Sequence, residues 1–181
     1  MAEIIPFPDR KFPVIYADPP WSYNDKMTGH SFSLDHEYET QSLAWIKSLQ
    51  VKDLAAKDAV LFLWATNPLL PEAFEVITAW GFKFKTVAFV WAKQTVTGKW
   101  AYNLGRWTMG SSELCLLATR GRPQRIERNV KQLVVAERTK HSKKPDEVRQ
   151  RIVTLMGDVP RIELFARERP EGWEAWGNEV A

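Results

Sequence analysis

Asp18-Pro19-Pro20-Trp21, at the end of the apolar run PVIYA, sets an acid, two prolines and an aromatic side by side. Proline lacks a backbone N–H and holds the residue before it extended, so this turn is stiff while its carbonyls remain acceptors. Asp18 adds a charge-assisted acceptor, and Trp21 offers a flat apolar face. Together they describe a socket for a planar group bearing an NH₂, gripped in the ring plane and stacked from one side. Adenine's exocyclic amine fits. Its lone pair is delocalised into the ring, and acceptors on both hydrogens favour the pyramidal, nucleophilic form. Held in line with a methyl sulfonium, that nitrogen reacts largely through positioning and electrostatics, with the proton lost afterwards.

Such a turn needs a strand before it. Pro13 to Ala17 reads as a short buried strand, followed by a long polar loop through about His36. Thr40 is placed to cap a helix with Leu43, Ile46 and Leu49 at helical spacing, and Ala59 to Thr66 reads as a buried strand. Asn67-Pro68 opens a helix with Leu70, Ala73, Phe74, Ile77 and Trp80 on one face and Gly81 as its stop. Phe82 to Lys93, Glu113 to Arg120 and Leu133 to Glu137 are strand-like. Pro145 opens a helix with Val148, Ile152 and Leu155 inward and Gly157 closing it, and Arg161 to Ala166 is the last expected strand. Strands alternating with helices predict an α/β, doubly wound, mostly parallel sheet with helices on both faces. Ligands of such sheets sit outside the carboxyl ends of the strands. Both Asp18 and the segment after Arg161–Ala166 follow such ends, so the two are expected to share one site.

At 181 residues, 45% of them apolar and with nine Trp, the chain is expected to form one domain, residues 1–181, around a core of large side chains. Trp64, Trp80 and Trp91 belong to that core, Trp173 and Trp176 brace the C-terminal segment, and Trp107 borders the substrate. Cys115 is the single cysteine and the three histidines are scattered, so neither a disulfide nor a zinc spacing is available. No apolar run suits a signal peptide or a membrane span, and the expected setting is the cytoplasm or nucleoid, with no membrane partner. The net charge is +3, but Arg120 to Lys144 carries +7 and leaves the remainder at −4. A basic belt on a nearly neutral body points to a polyanion held at one face, with Arg122 and Arg125 as candidate phosphate contacts.

Beyond the DPPW turn, LFLWATNPLLPEAFEVITAWGFKFKTVAFVWAK, ELCLLATRGRPQ, HSKKPDE, IELFAR and WEAWGNE follow in an order and spacing that resembles the adenine-N(6) methyltransferase family of the eukaryotic messenger-RNA adenosine methyltransferase. The likeness is greater to short bacterial and phage members and covers nearly the whole chain. It implies a Rossmann-like fold dependent on S-adenosyl-L-methionine, with S-adenosyl-L-homocysteine as product, permuted so that the catalytic strand comes first and the cofactor strand last. It implies Asp18, Pro19, Pro20 and Trp21 as the catalytic motif, with Asp18 and the Pro19 carbonyl accepting from the amine. By the same likeness Tyr23 and Tyr38 line the substrate pocket, Glu113 contacts the target base, and Lys144, with Lys143 beside it, belongs to an active-site loop at a helix N-terminus. Ile5, Asp18, Pro20, Lys144, Glu163, Leu164, Phe165, Arg167, Asn178 and Glu179 are the implied cofactor contacts. Two departures stand out: Lys143 occupies a position where many relatives have histidine, and Glu179 one where eukaryotic relatives have glutamine. No GxGxxG loop follows the last strand, which is normal for the family.

An adenine inside a duplex must be flipped out or presented on a single strand. Nothing in the sequence reads a 2′-hydroxyl, and DNA is favoured over RNA because the bacterial and phage likeness is the greater. With no room for a separate target-recognition domain, specificity is expected from loops such as Gln94 to Ser112, from a homodimer or from a partner subunit. A non-catalytic subunit that only presents nucleic acid, and a methyltransferase for small molecules, are the rival readings. The intact DPPW turn opposes the first and the basic belt the second.

Overall fold

The computed structural model describes residues 5–22, 41–105, 107–139 and 143–180. Seven strands form one sheet: β1 (Phe12–Ala17), β2 (Ala55–Ala65), β3 (Lys83–Gln94), β4 (Ser112–Arg120), β5 (Leu133–Glu137), β6 (Arg161–Leu164) and β7 (Glu174–Trp176), in the spatial order β5-β3-β4-β2-β1-β6-β7. Strand β1, which leads into Asp18-Pro19-Pro20-Trp21, is flanked by parallel partners, β2 on one side and β6 on the other.

Period-two alternation divides the core between two faces. Along β1, Ile15 and Ala17 turn to one face and Val14 and Tyr16 to the other. The first face is covered by α1 (Leu43–Ser48), α2 (Val51–Leu54) and α3 (Leu70–Ala79), which contribute Ile46, Val51, Leu54, Ala73, Val76 and Ile77. The second is covered by α4 (Asp146–Met156) through Val148, Ile152 and Met156. Trp64, Trp80 and Trp91 are all buried, and each indole N–H finds an acceptor, on Tyr16 Oη, the Ile46 carbonyl and the Ala136 carbonyl respectively. Large rings can be buried here because their one polar atom is satisfied.

Several boundaries differ from the sequence reading. Helix α1 is capped by Ser42, whose hydroxyl accepts from the Trp45 N–H at 3.2 Å, while Thr40 lies outside the described residues. Strand β2 starts at Ala55, with the register shifting between Phe12 and Val14 of its partner. A single 3₁₀ turn, Asn67–Leu69, precedes α3. Phe74 is not on the inner face but 39% exposed, resting edge-on against Phe84 at 5.0 Å; it lies at the rim of the stripe that Ala73, Val76 and Ile77 bury. Strand β7 was not expected, since its three residues are too few to show a period.

Strand β4 runs antiparallel to both neighbours, β2 and β3. Its N-terminal end therefore lies beside the carboxyl ends of the other strands, with Glu113 opposite Trp91 and Leu114 opposite Ala65. Its C-terminal end, Arg120, lies beside Ala59 at the opposite end of the sheet. This divides the basic belt. Arg122 follows Gly121 at that far end, and Ile126, next to Arg125, bonds to the Leu155 carbonyl near the C-terminus of α4. From Glu113 to Arg120 the strand spans about 23 Å at its usual rise per residue. The single basic face expected from the sequence is thus corrected, because strand direction separates Arg122 and Arg125 from Lys143 and Lys144.

Gly121 makes the turn at the far end with φ +66°, and a Cβ there would collide with the Lys57 carbonyl and with Asp58, whose carboxylate accepts the Arg122 N–H at 2.7 Å. Gly121→Ala is expected to lower stability by about 1–3 kcal/mol, read as a lower denaturation midpoint at unchanged slope. A midpoint equal to that of the unaltered protein would contradict this placement.

Candidate active site

Ala17 pairs with Leu63 of β2 and Leu164 of β6, so Asp18 and Phe165 leave the sheet side by side. The turn after β1 is fixed by its own backbone: the Trp21 N–H bonds to the Pro19 carbonyl at 2.8 Å and the Gln41 N–H to the Pro20 carbonyl at 3.0 Å. Trp21 Nε1 donates to the Trp64 carbonyl at 3.0 Å, and the ring packs into the first core face. The expectation of an open stacking face is corrected here, because Trp21 is buried and braces the turn from behind. The Pro19 carbonyl retains a second lone pair for a ligand.

Four charged side chains of alternating sign run through the site. Lys93 pairs with Glu113 Oε1, Lys144 lies 3.3 Å from Glu113 Oε2, and Lys144 Nζ donates to Asp18 Oδ2 at 2.7 Å. Lys93, Glu113 and Lys144 are nearly buried, whereas the Asp18 side chain is 26% exposed. The two ammonium groups also lie over indole rings, Lys93 over Trp91 at 4.8 Å and Lys144 over Trp64 at 5.6 Å.

Burial pushes the Asp18 carboxyl above its ordinary pKa, with the Lys144 ammonium working against it. For Glu113 burial acts in the same direction, but Lys144 and Lys93 outweigh it and hold the carboxyl below the usual range. Burial disfavours the Lys144 ammonium, yet Asp18 and Glu113 prevail and raise its pKa. The sign for stability follows. The Glu113 contribution is fully present above the ordinary glutamate value near ~4.3 and is lost as pH falls through its lower folded value. Asp18 acts oppositely: its charged form costs stability once the pH has risen through its elevated folded value.

Lys144 immediately precedes Pro145, the N-cap of α4, as expected, but its ammonium turns to Asp18 and Glu113. Lys143 takes a separate, more exposed path, pairing with Asp146 at 3.3 Å and Glu168 at 3.0 Å. The implied cofactor residues gather at the exits of β6 and β7. Leu164 is buried; Phe165 has φ 61° and lies edge-on to Trp176 at 5.5 Å. The Trp176 N–H bonds to the Ile5 carbonyl at 3.0 Å, tying the N-terminal segment over β7. Gly177 passes so close to the segment that follows β6 that a Cβ would lie 2.5 Å from the Ala166 carbonyl oxygen. Asn178 and Glu179 follow on the surface, with Glu179 3.6 Å from Arg167.

Glu163 is different from what was expected. It faces α4, and Arg149 takes both carboxylate oxygens at 2.7 and 3.0 Å. The carboxylate anchors the helix to the strand rather than standing open to a cofactor, because a buried charge at that position needs a fork of donors. Arg149 also pairs with Asp146 and with Glu168 at 3.1 Å. Tyr23 and Tyr38 lie outside the described residues. Arg122 and Arg125 are not brought to this end of the sheet.

Lys93 and Arg149 were missed in the sequence. The signal for Lys93 was a lysine two residues after Trp91, on the same strand face in an otherwise apolar run. Arg149 announces only its local partner, Asp146, three residues earlier; its contact with Glu163 is purely tertiary.

Residues 12–179 match the MT-A70 family. The chain is 36% identical over 197 residues to the Type II methyltransferase M.MunI of Mycoplasma sp, covering 98% of this chain and 82% of that protein. It is 30% identical over 178 residues to the N(6)-adenosine-methyltransferase MT-A70-like protein of Arabidopsis thaliana, covering 93% of this chain and 24% of that protein. With the human N(6)-adenosine-methyltransferase catalytic subunit METTL3 the identity is 28% over 179 residues, covering 94% of this chain and 28% of that protein. The chain thus spans about a quarter of the length of these eukaryotic relatives.

Lys144→Met removes the cation that opposes burial at Asp18, so the Asp18 pKa is expected to rise further. The acid limb of the pH profile of turnover, measured at saturating substrates, then moves to higher pH. A profile with its acid limb unmoved would remove Lys144 from this role.

Proposed function

The chain belongs to the MT-A70 family, and from that premise we propose that it transfers the methyl group of S-adenosylmethionine to the 6-amino nitrogen of adenine in DNA. Similarity to a type II methyltransferase across 82% of that protein's length supports DNA over RNA, since the adenosine methyltransferases match over only about a quarter of theirs. The observation that carries the reading is the pairing of Ala17 with Leu164, which sets Asp18 beside the exit of the strand that the family uses for its cofactor.

The residues at this end fit a nucleoside with a zwitterionic side chain. Asp18 and Lys144 supply one carboxylate and one ammonium, Phe165 and Ile5 supply half-buried apolar surface, and Gly177 lets the chain cross closely enough to deliver Asn178. Asp18, Lys144, Phe165, Arg167, Asn178 and Glu179 would hold the cofactor, and S-adenosylmethionine supplies an electrophilic methyl carbon. Asp18, using lone pairs not engaged by Lys144, and the Pro19 carbonyl accept the two hydrogens of the adenine amine. The amine nitrogen would take up that carbon with the sulfur departing as a neutral thioether, and one proton would leave the nitrogen. The elevated pKa of Asp18 makes it a better acceptor for that proton than an ordinary aspartate. Glu113, kept ionised by Lys93 and Lys144, is a fixed acceptor toward the base. A subunit that only presents nucleic acid would have no need for this string of charges, and the catalytic reading is preferred.

The test is incubation with a labelled methyl donor and matched DNA and RNA, followed by nucleoside digestion. Label on N6-methyldeoxyadenosine is expected; label on adenosine alone would move the substrate to RNA, and label on no purine would refute the reading. Asp18→Ala is expected to retain the fold and lower turnover by at least about 100-fold. Asn178→Ala is expected to weaken cofactor binding first, and unchanged cofactor affinity by calorimetry would exclude it from the site.

A further inference from the structure

Between β3 and β4 the chain makes an excursion, residues 95–111, that reverses twice. The first turn is closed by the Thr95 N–H on the Lys99 carbonyl at 2.8 Å, with Gly98 at φ +76°. The second is closed by reciprocal bonds between Asn103 and Gly110 at 2.7 and 3.0 Å. Its two stems, Gln94 and Ser112, are the residues next to Lys93 and Glu113, so the excursion springs directly from the buried charges of the site.

The excursion is apolar where it meets solvent. Trp107 is 97% exposed, Leu104 94%, Tyr102 54% and Trp100 51%, with Val96 and Met109 also exposed. Surface aromatics scattered singly need no explanation, but a cluster on one loop does. The buried tryptophans each place the indole N–H on an acceptor, whereas no hydrogen bond engages that of Trp100 or Trp107 among the described residues. From Gln94 to Ser112 the sequence contains Lys99 and Arg106 and no acidic residue. Arg138 joins from the basic belt, its guanidinium bonded to Asn103 Oδ1 at 2.6 Å. Aromatic residues interleaved in sequence with cations, on an excursion that carries no carboxylate of its own, match the chemistry of unpaired nucleic acid, whose bases stack while its phosphates seek positive charge.

We propose that this excursion is a stacking platform for the unpaired bases that flank the target adenine. The proposal rests on the reading of the chain as a nucleic-acid methyltransferase and deepens it, by naming the element that grips the strand once it is opened. It replaces the rigid anchor that the distant Arg122 and Arg125 do not provide at this end of the sheet. A protein partner seated on the same rings is the competing occupant, and the positive charge of the excursion favours a polyanion over it.

The test compares Trp100→Ala, Trp107→Ala and the conservative Trp107→Phe. Binding of a fluorescent single-stranded oligodeoxynucleotide is expected to weaken by about tenfold for each ring removed and to be largely restored in Trp107→Phe, because a phenyl ring still stacks. Affinity for S-adenosylmethionine, read separately by calorimetry, is expected to stay unchanged. Unaltered oligonucleotide affinity in both alanine variants would overturn the proposal, and so would a shift in sedimentation from a larger species to a monomer without loss of oligonucleotide binding. If the unaltered protein methylates adenine while the alanine variants bind strands normally, the platform fails and the enzymatic reading stands. If the unaltered protein neither binds nor methylates any oligonucleotide, both fall together.

Discussion

A carboxylate at the end of a buried strand must find a cation or give up its charge, and this requirement organises the end of the sheet where β1 and β6 finish. Asp18 is drawn toward the neutral form by burial, and Lys144 opposes that from the N-terminal side of α4. Lys144 is itself buried and needs a second anion, which Glu113 provides from the start of β4. Glu113 in turn is held by Lys93 at the end of β3. Each charge is tolerable because the next has the opposite sign. Removing one partner of such a buried pair typically costs about 3–5 kcal/mol, since it strands the other. The two carboxylates differ in setting: Asp18 is the more exposed, and Glu113 is clamped twice.

That arrangement exists only because β4 runs against its neighbours. A parallel β4 would deliver Arg120 to the site and leave Glu113 at the far end. The reversal follows from the connection between β3 and β4, an excursion with no helix to carry the chain back to the start of the sheet, so the next strand must descend beside the last. The same topology roots the excursion, with its exposed rings, in the residues next to Lys93 and Glu113.

Much of this was legible in the residues. The apolar run Val14 to Ala17, buried on both faces, announced a central strand, and the stiff acid-proline turn announced a ligand at its end. The pairing of that end with the exit of β6 could be anticipated because ligands of doubly wound sheets collect at carboxyl ends. Strand direction was not legible, for hydrophobic periodicity is the same read from either end; the basic belt therefore looked like one face when β4 carries part of it to the far end of the sheet. Tertiary ion pairs were equally hidden. Glu163 was a cofactor contact only by family likeness, and its carboxylate is taken by Arg149. Trp21 looked like a stacking surface, but its N–H reaches the Trp64 carbonyl, and that bond carries the ring into the core.

The separation of the arginines from the reacting groups has a bearing on how a polymer arrives. Long-range attraction is blind to orientation and decays over about 8 Å at physiological ionic strength, so a strand drifting in from solution is drawn as readily to Arg122 and Arg125 as to the end that works on it. If the proposed platform grips the strand, encounters at the far pole would be held by charge alone, whereas those at the platform would add ring contacts that ions do not screen. Moderate ionic strength would then sort productive arrivals from idle ones, and the molecule's polarity would make the surrounding electrolyte part of its selectivity.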